Sequence, residues 1–167
     1  MDLAQFNAAG RPEAAGALRP CLDIRRWIDE LVDGRPYASP DALLEAGRTA
    51  ASPFTPAEIA AALSRHPRIG ERAEGHSTEA LLSQAEQAAL GNADADAADA
   101  EALAEGNRSY EETFGQVFLI RAAGRSRGEI LAALRTRLTH TPDDEQATIG
   151  EQLREIAVLR LEGLIGE

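Results

Sequence analysis

The sequence predicts an all-α protein, a single-domain bundle of roughly eight helices that spans residues 1–167. Hydrophobic residues make up 44% of the chain and aromatic residues only 4%, with many alanines, a balance that favours helices over strands. Capping residues followed by proline or an acid mark several helix starts. Only one short run is typical of a strand, and no second strand is predicted to pair with it.

Four helix starts are marked by a capping residue: Ser39, Thr55, Ser126 and Thr141. Proline or an acid follows each of them within the first turn, where it stabilises the start of a helix. The predicted helices cover residues 22–32, 42–48, 55–66, 77–90, 93–113 and 130–138, with a last helix from Thr141 to about residue 164.

Two segments leave alternatives open. Residues 93–113 are rich in alanine and acids, which suits either a helix or a low-complexity linker. Tyr110 and Phe114 are spaced one helical turn apart, which favours the helix. The strand-like run is Val117-Phe118-Leu119-Ile120, and without a partner it is interpreted as a buried extended segment or a helix start.

Charge and cysteine content argue against several classes of partner. The net charge of −11 and the pI near 4.8 predict no binding to nucleic acid or to an anionic membrane. Cys21 is the one cysteine, so no disulfide forms within a chain and a reducing, cytoplasmic location is expected. The sequence begins without the apolar run of a secretory signal. The three histidines lack a metal-ligand spacing, so no metal site is predicted, and His76 and His140 are predicted to be exposed and incidental.

His66 occupies a position where an apolar residue is expected. Ile59, Ala62, Leu63 and His66 fall at i, i+3, i+4 and i+7 of the helix that Thr55 caps, which predicts an imidazole in the last turn, pointing to the interior. Histidine titrates near neutral pH and is well suited to proton transfer. The alternative is a core histidine hydrogen-bonded to a carbonyl. The end of a helix favours the protonated ring, whereas burial disfavours it.

Two further polar groups adjoin apolar stripes. Arg160 shares a face with apolar residues of the last helix. Burying a guanidinium there costs free energy unless it is paired. The alternative is that Arg160 snorkels to the surface near the end of the chain. Ser83, Glu86 and Gln87 share a face of the 77–90 helix, and their alternative is a solvated surface. These residues alone predict a helical domain with a candidate His/Glu/Arg cluster.

Three motifs follow one another along the chain: His66-Pro67-Arg68-Ile69-Gly70, then Ser83-Gln84-Ala85-Glu86-Gln87, then Phe114-Gly115-Gln116-Val117-Phe118. With these motifs the chain resembles the 2-oxo-4-hydroxy-4-carboxy-5-ureidoimidazoline (OHCU) decarboxylase family of purine catabolism. Shorter matches extend the resemblance over nearly the whole chain: Phe6-Asn7, Arg26-Trp27, Arg35-Pro36-Tyr37, Asn107, Tyr110, Gly124-Arg125-Ser126, Arg137-Leu138 and Leu159-Arg160-Leu161. Gly106 departs from the pattern, since the family usually has a larger apolar residue there.

The resemblance implies an all-helical, typically homodimeric enzyme that needs no metal or organic cofactor. It implies a carboxy-lyase of urate degradation that converts the small-molecule ureidoimidazoline into (S)-allantoin and CO2. His66 and Glu86 are implied to be catalytic. The residues implied to bind the substrate are Pro67, Ser83, Gln84, Ala85, Glu86, Gln87, Phe118, Leu119, Ile120, Arg121, Ala122 and Arg160.

Two other functions remain open at this point. In a non-catalytic helical interaction domain, His66 is a core residue and Arg160 is paired for structural reasons. In a decarboxylase of a related ureide, the site residues are the same and the substrate differs. Truncation of His66 separates the first alternative from an enzyme, because it destabilises the fold in one case and removes activity in the other.

Overall fold

The computed structural model describes residues 1–64, 66, 68–70, 78–88 and 97–166. Within these residues there are nine α-helices and no strands, which confirms the predicted all-α class. None of the described helices is long and apolar enough to cross a membrane. The helices are α1 Leu3–Ala8, α2 Arg11–Leu18, α3 Arg25–Asp33, α4 Pro40–Thr49, α5 Pro56–Leu63, α6 Thr78–Ala88, α7 Ala97–Phe114, α8 Arg127–Arg137 and α9 Pro142–Ile165.

Two helices, α1 and α2, precede those that the sequence predicted. Asp2 caps α1 through a capping box, in which its side chain accepts from the amide of Gln5 and the Gln5 side chain accepts from the amide of Asp2. These helices have six and eight residues, too short for an apolar period to be recognised in the sequence. The uncertain stretch at 93–113 is helical from Ala97 onwards.

The four predicted caps are confirmed. The side chains of Ser39, Thr55, Ser126 and Thr141 each accept a hydrogen bond from a backbone amide in the first turn of their helix. Glu58 completes the capping box at Thr55 and also pairs with Arg26, which lowers the pKa of this carboxyl to about 2. The start of α5, the helix that leads to His66, is therefore fixed by local bonds and by α3 together.

The buried residues form two core clusters. The first core cluster lies where α9 packs against α4 and α5, and it contains the fully buried Trp27. Gly47 permits this close packing, because a Cβ there would lie 3.1 Å from Leu161 Cδ2, and its carbonyl accepts from Trp27 Nε1 at 2.9 Å. The second core cluster lies between α7 and α8, where Leu134 packs against Gly106. A larger residue at 106 requires Leu134 to move, which accounts for the glycine.

The segment over residues 117–122 runs between the two core clusters without forming a helix. Leu119 packs into the first core cluster, whereas Phe118, Ile120 and Ala122 pack into the second. Side chains that alternate between two sides are the signature of an extended backbone. The interpretation of this run as a buried extended segment is confirmed, and the segment brings both core clusters to one place beside His66.

Candidate active site

Four parts of the fold meet at a small cavity between the two core clusters. They are the turn after α5, the middle of α6, the extended segment 117–122 and α9. The cavity is lined by His66, Ile69, Ser83, Glu86, Gln87, Phe118, Leu119, Ile120, Ala122 and Ile156. Its volume of about 20 Å³ is room for about one water molecule. A larger ligand enters only when lining side chains move apart.

Arg160 does not itself line this cavity, but four of its five N–H groups bond its neighbours, among them the lining residues Ser83 and Glu86. The guanidinium donates from Nε to Glu86 Oε1 at 2.6 Å and from Nη2 to Glu86 Oε2 at 2.9 Å. Nη2 also donates to Ser83 Oγ at 3.0 Å, and Nη1 donates to the carbonyl of Pro20 at 3.2 Å. The side chain is only 1% exposed, so the alternative in which it snorkels to the surface is wrong. A bidentate carboxylate is the geometry that compensates a buried guanidinium best.

The polar face of α6 turns inward at this pair. Ser83 is buried, and Glu86 and Gln87 are partly buried, so the alternative of a solvated helix face is also wrong. Gln87 Oε1 accepts from the backbone N–H of Gly70 at 2.9 Å. The same face of α6 therefore holds Arg160 through Glu86 and the loop after His66 through Gln87.

His66 lies just beyond α5 rather than in its last turn. The helix ends at Leu63, and the amide of His66 donates to the Leu63 carbonyl at 3.0 Å in a tighter turn. The earlier end follows from the sequence, because the residue before a proline is disfavoured in the helical conformation. The side chain is nevertheless directed inward, with Nδ1 2.9 Å from the carbonyl of Ala62.

The two nitrogens of His66 are in different situations. A carbonyl accepts hydrogen bonds, so the bond to Ala62 places the proton on Nδ1 and leaves Nε2 as the acceptor. Nε2 is buried, and no hydrogen-bond partner for it exists among the described residues. The bond to a carbonyl that the core-histidine alternative required is present, but it uses only one nitrogen. The other nitrogen is left with an unused lone pair in a residue that lines the cavity.

Burial decides the charge of His66. It lowers the pKa of the imidazole below the usual range, and the nearby positive charge of Arg160 lowers it further. The Ala62 carbonyl and the Glu86 carboxylate act in the opposite direction without reversing the shift. The ring is therefore neutral at pH 7 and has a free basic nitrogen.

The OHCU decarboxylase family model matches residues 7–162 of the chain. This chain belongs to the OHCU decarboxylase family. The resemblance predicted from the motifs is thereby confirmed.

Relatives and a solved structure agree over most of their length. A protein of Haloferax volcanii named 2-oxo-4-hydroxy-4-carboxy-5-ureidoimidazoline decarboxylase is 31% identical over 162 residues, covering 96% of this chain and 94% of the relative. A protein of the same name from Halalkalicoccus jeotgali is 30% identical over 166 residues, covering 98% and 89%. A crystal structure of OHCU decarboxylase in the presence of (S)-allantoin is 25% identical. It has a TM-score of 0.70 and covers 88% of this chain and 95% of that chain.

The structure brings together most, but not all, of the residues that the family resemblance implied. The side chain of Arg121 points away from the cavity and pairs with Glu155 at 3.1 Å. Gln84, Ala85 and Arg160 do not line the cavity, and Ala85 is exposed. Pro67 and His76 lie outside the described residues. Ile69 and Ile156 line the cavity without having been predicted, since apolar residues carry no chemical signal in a sequence.

The backbone of the extended segment has unbonded amides beside the cavity. The amide N–H groups of Leu119 and Ile120 have no acceptor within the described part of the chain. The next amide, that of Arg121, donates to Gln152 Oε1 at 3.0 Å and fixes the segment on α9. Backbone amides left unbonded in a buried segment are suited to binding the oxygens of a ligand.

A second buried polar cluster lies behind the extended segment, and the sequence did not predict it. Glu145 is fully buried, and its carboxylate accepts from Arg137 Nε at 2.8 Å and from the hydroxyl of Tyr110. His140 Nδ1 lies 2.9 Å from the same carboxylate, so the prediction that His140 is exposed and incidental is wrong. Glu145 was not predicted as part of a cluster, because an acid in the first turn of a helix is usually exposed to solvent and interacts favourably with the helix dipole.

Metal-binding chemistry has no visible support in the described residues. They contain no group of three or more His, Cys, Asp or Glu side chains that could hold a metal ion. Cys21 lies near Arg160 and Glu86, but burial raises the pKa of its thiol to about 12, so it is a thiol at neutral pH.

Proposed function

We propose that this protein decarboxylates 2-oxo-4-hydroxy-4-carboxy-5-ureidoimidazoline to (S)-allantoin and CO2. The observation that carries the proposal is the buried, unpartnered Nε2 of His66, next to the Arg160–Glu86 pair in a chain of this family. A buried polar atom without a partner is costly in a purely structural core, which speaks against a non-catalytic domain. A neutral imidazole in that setting accepts and returns a proton, as the reaction requires.

The protein need not supply an electron sink for this reaction, because the C=N group of the substrate accepts the electrons. The bond between the ring carbon and the carboxylate breaks, CO2 leaves, and the bonding electron pair moves into the adjacent C=N group. The hydroxyl-bearing carbon then becomes a carbonyl as its O–H proton departs, and the ureido-bearing carbon gains a proton. The ring nitrogen of the former C=N group receives that electron pair and takes up the one proton that is consumed overall for each CO2 released. The protein must orient the carboxylate and deliver a proton to one face of the ring.

His66 is the proton carrier in this scheme. The neutral Nε2 accepts the hydroxyl proton, and the resulting imidazolium returns a proton to the ureido-bearing carbon from its own side of the ring. Delivery from one side sets the (S) configuration of the product. General acid–base catalysis of this kind contributes about 10²–10⁴-fold to the rate.

Arg160 and a backbone amide bind the oxygens of the substrate. Four of the five N–H groups of Arg160 are used in the described structure, on Glu86, Ser83 and Pro20, so one N–H at Nη1 remains for a carboxylate or ureido oxygen. The N–H of Ile120, on the opposite side of the extended chain from the Leu119 carbonyl that Arg137 holds, supplies a further donor, and Leu119 lines the cavity beside it. Glu86 lines the cavity and is proposed as catalytic on the family resemblance, and it also holds Arg160 and offsets its charge beside His66.

The remaining side chains shape the cavity. Four residues of the cavity lining are proposed to contact the substrate: Ser83, Gln87, Phe118 and Ala122. Pro67 is proposed on the family resemblance alone. Gln84, Ala85 and Arg121 do not line the cavity, so they too are proposed on the family resemblance alone.

The assembly and location follow from the family resemblance and the composition. We propose a cytoplasmic homodimer, with the small ureidoimidazoline as its ligand and with no nucleic acid or membrane as partner. Sedimentation equilibrium tests the assembly, with an expected mass of twice the 17.8 kDa of one chain.

The experiment that tests the function generates the substrate in place. Urate is treated with urate oxidase and hydroxyisourate hydrolase, and circular dichroism follows the appearance of (S)-allantoin with and without this protein. We expect faster formation and a higher enantiomeric excess in its presence. Product formed no faster and no more enantiopure than in the blank overturns the proposal. A faster turnover of a related ureide in the same assay assigns a different substrate to the site.

A further inference from the structure

The cluster of Tyr110, Arg137 and Glu145 joins three helices to the wall of the candidate active site. Arg137 is the last residue of α8, Tyr110 lies in α7, and Glu145 lies in the first turn of α9. All three side chains are buried. Arg137 makes one further bond, from Nη1 to the carbonyl of Leu119 at 2.6 Å, and this carbonyl belongs to the extended segment.

The cluster is satisfied internally, which makes its geometry rigid. The Arg137 guanidinium packs over the ring of Phe118 at 4.6 Å and over that of Tyr110 at 5.7 Å. Burial and the adjacent carboxylate raise the pKa of Tyr110, so its hydroxyl stays protonated and donates to Glu145. Stacking fixes the plane of the guanidinium, and the carboxylate fixes its rotation within that plane. The Nη1 donor thus has a single direction.

A buried ion pair is weak evidence for stability, because well-packed apolar side chains of similar size often serve as well. The contact with the Leu119 carbonyl is what an apolar replacement cannot reproduce. The carbonyl of Leu119 and the N–H of Ile120 belong to one trans peptide unit, in which they point in opposite directions. A carbonyl held by Arg137 therefore directs the N–H of Ile120 away from the cluster.

We propose that Arg137, held in place by Glu145 and Tyr110, is a positioning residue that sets the orientation of the Leu119–Ile120 peptide at the candidate active site. This inference rests on the proposed function for its kinetic consequence. Arg137 touches neither the cavity nor His66 and acts only through the backbone of the segment. The N–H of Ile120 binds the charge that develops on a substrate oxygen as CO2 departs, so its direction affects the transition state more than the bound substrate.

The test replaces the ion pair without leaving a buried charge. In the double variant Arg137→Met with Glu145→Gln, Met fills the space of the arginine and Gln still accepts from Tyr110. We expect a folded protein whose kcat is lower by about 10-fold or more, with KM changed by less than about twofold. Arg137→Lys keeps the charge balance but cannot bind Glu145 and the Leu119 carbonyl in one fixed fork, and we expect the same direction of change.

A second readout reports the segment independently of turnover. The amide of Arg121, bonded to Gln152, belongs to the same segment, and its hydrogen exchange measured by NMR is expected to be faster in both variants. Arg35→Met is the matched control, because Arg35 also binds carbonyls, those of Phe6 and Ala9, and packs over the ring of Phe6, and none of these residues lines the cavity. It is expected to leave kcat and the exchange of Arg121 unchanged.

The outcomes are separable. Unchanged exchange at Arg121 in both Arg137 variants overturns the proposal, and so does an unchanged kcat in a variant whose exchange has become faster. A wild-type protein without decarboxylase activity overturns the proposed function instead, and the exchange measurement still decides whether Arg137 orders the segment.

Discussion

Arg160 and Glu86 form a bidentate ion pair between α9 and α6, with Nε 2.6 Å from Oε1 and Nη2 2.9 Å from Oε2. The arginine side chain is 1% exposed and the carboxylate 16%, so water screens the pair only weakly. The pair fixes the electrostatic setting of His66, because the two charges shift the pKa of the imidazole in opposite directions.

Loss of either partner of this pair is expected to be costly. Glu86→Ala or Arg160→Met leaves one buried charge without compensation, and each is expected to lower the free energy of unfolding by about 3–5 kcal/mol. The double variant is expected to cost less than the sum of the single variants, because no unpaired charge remains. Urea unfolding followed by circular dichroism measures all three.

The control for this cycle is an exposed pair in the same protein. Arg48 and Glu45 are 51% and 68% exposed, and Glu45→Ala is expected to change stability by less than about 0.5 kcal/mol. Additive effects of Glu86→Ala and Arg160→Met would show that the two charges do not depend on each other.

The sequence predicted the members of this pair but not the pairing. Arg160 was predicted as a site residue because a guanidinium on an apolar stripe needs a partner. The same pattern was also consistent with a side chain that snorkels to the surface. The two side chains are 74 positions apart, and only the packing of α6 against α9 decides between the alternatives. Glu145 shows the opposite failure. An acid in the first turn of a helix is ordinary at a protein surface, so nothing in the sequence indicated that α7 and α8 bury Glu145.

The pKa of His66 predicts how stability depends on pH. The folded state holds this pKa below its usual value, so between neutral pH and about pH 5 the unfolded chain takes up a proton that the folded protein resists. The contribution of His66 to stability is therefore fully present above about pH 6.5 and is lost as the pH falls towards the lowered pKa.

His66→Asn isolates this contribution. The asparagine amide can still donate to the Ala62 carbonyl, and the variant has no titrating ring. We expect the stability of the wild type relative to the variant to fall between about pH 7 and about pH 5, measured by urea unfolding at each pH. A relative stability that rises on acidification would mean that the pKa is raised, contrary to the burial of the ring.

Gly70 fixes the loop that follows His66. Its φ of +87° lies in the left-handed region, and a Cβ there would lie 2.9 Å from Leu103 Cδ2. The loop is held on both sides of this residue, since Asn107 Nδ2 donates to the Ile69 carbonyl at 3.0 Å and Gln87 accepts from the Gly70 amide. Gly70→Ala is expected to destabilise the protein by about 1–3 kcal/mol and to lower decarboxylase activity.

Gly16→Ala provides the comparison for that loss. Gly16 lies within α2, is exposed and would have nothing within 4 Å of a new Cβ, so alanine is expected to stabilise the protein by about 0.5–1 kcal/mol. Thermal unfolding of both variants measures the contrast. Equal and favourable effects of the two substitutions would contradict the strained turn at Gly70.

Local signals in the sequence determined most of the helices. Capping residues such as Thr55 and Ser126 satisfy the first amides of a helix within three residues, so the sequence alone locates those starts. The predicted end of α5 was less accurate, because the apolar face continues to His66 although the helix itself ends at Leu63. The site residues were predicted chiefly through family resemblance, since the cavity depends on contacts between elements distant in the sequence.

The most direct test of the central claim, that Nε2 of His66 carries the proton, is the turnover of His66→Asn with substrate generated from urate. We expect (S)-allantoin formation to fall by about 10²-fold or more towards the blank rate, with the fold retained by circular dichroism. Ser64→Ala, in the same turn, is expected to keep wild-type turnover. A folded His66→Asn protein that forms (S)-allantoin at the wild-type rate would contradict the account.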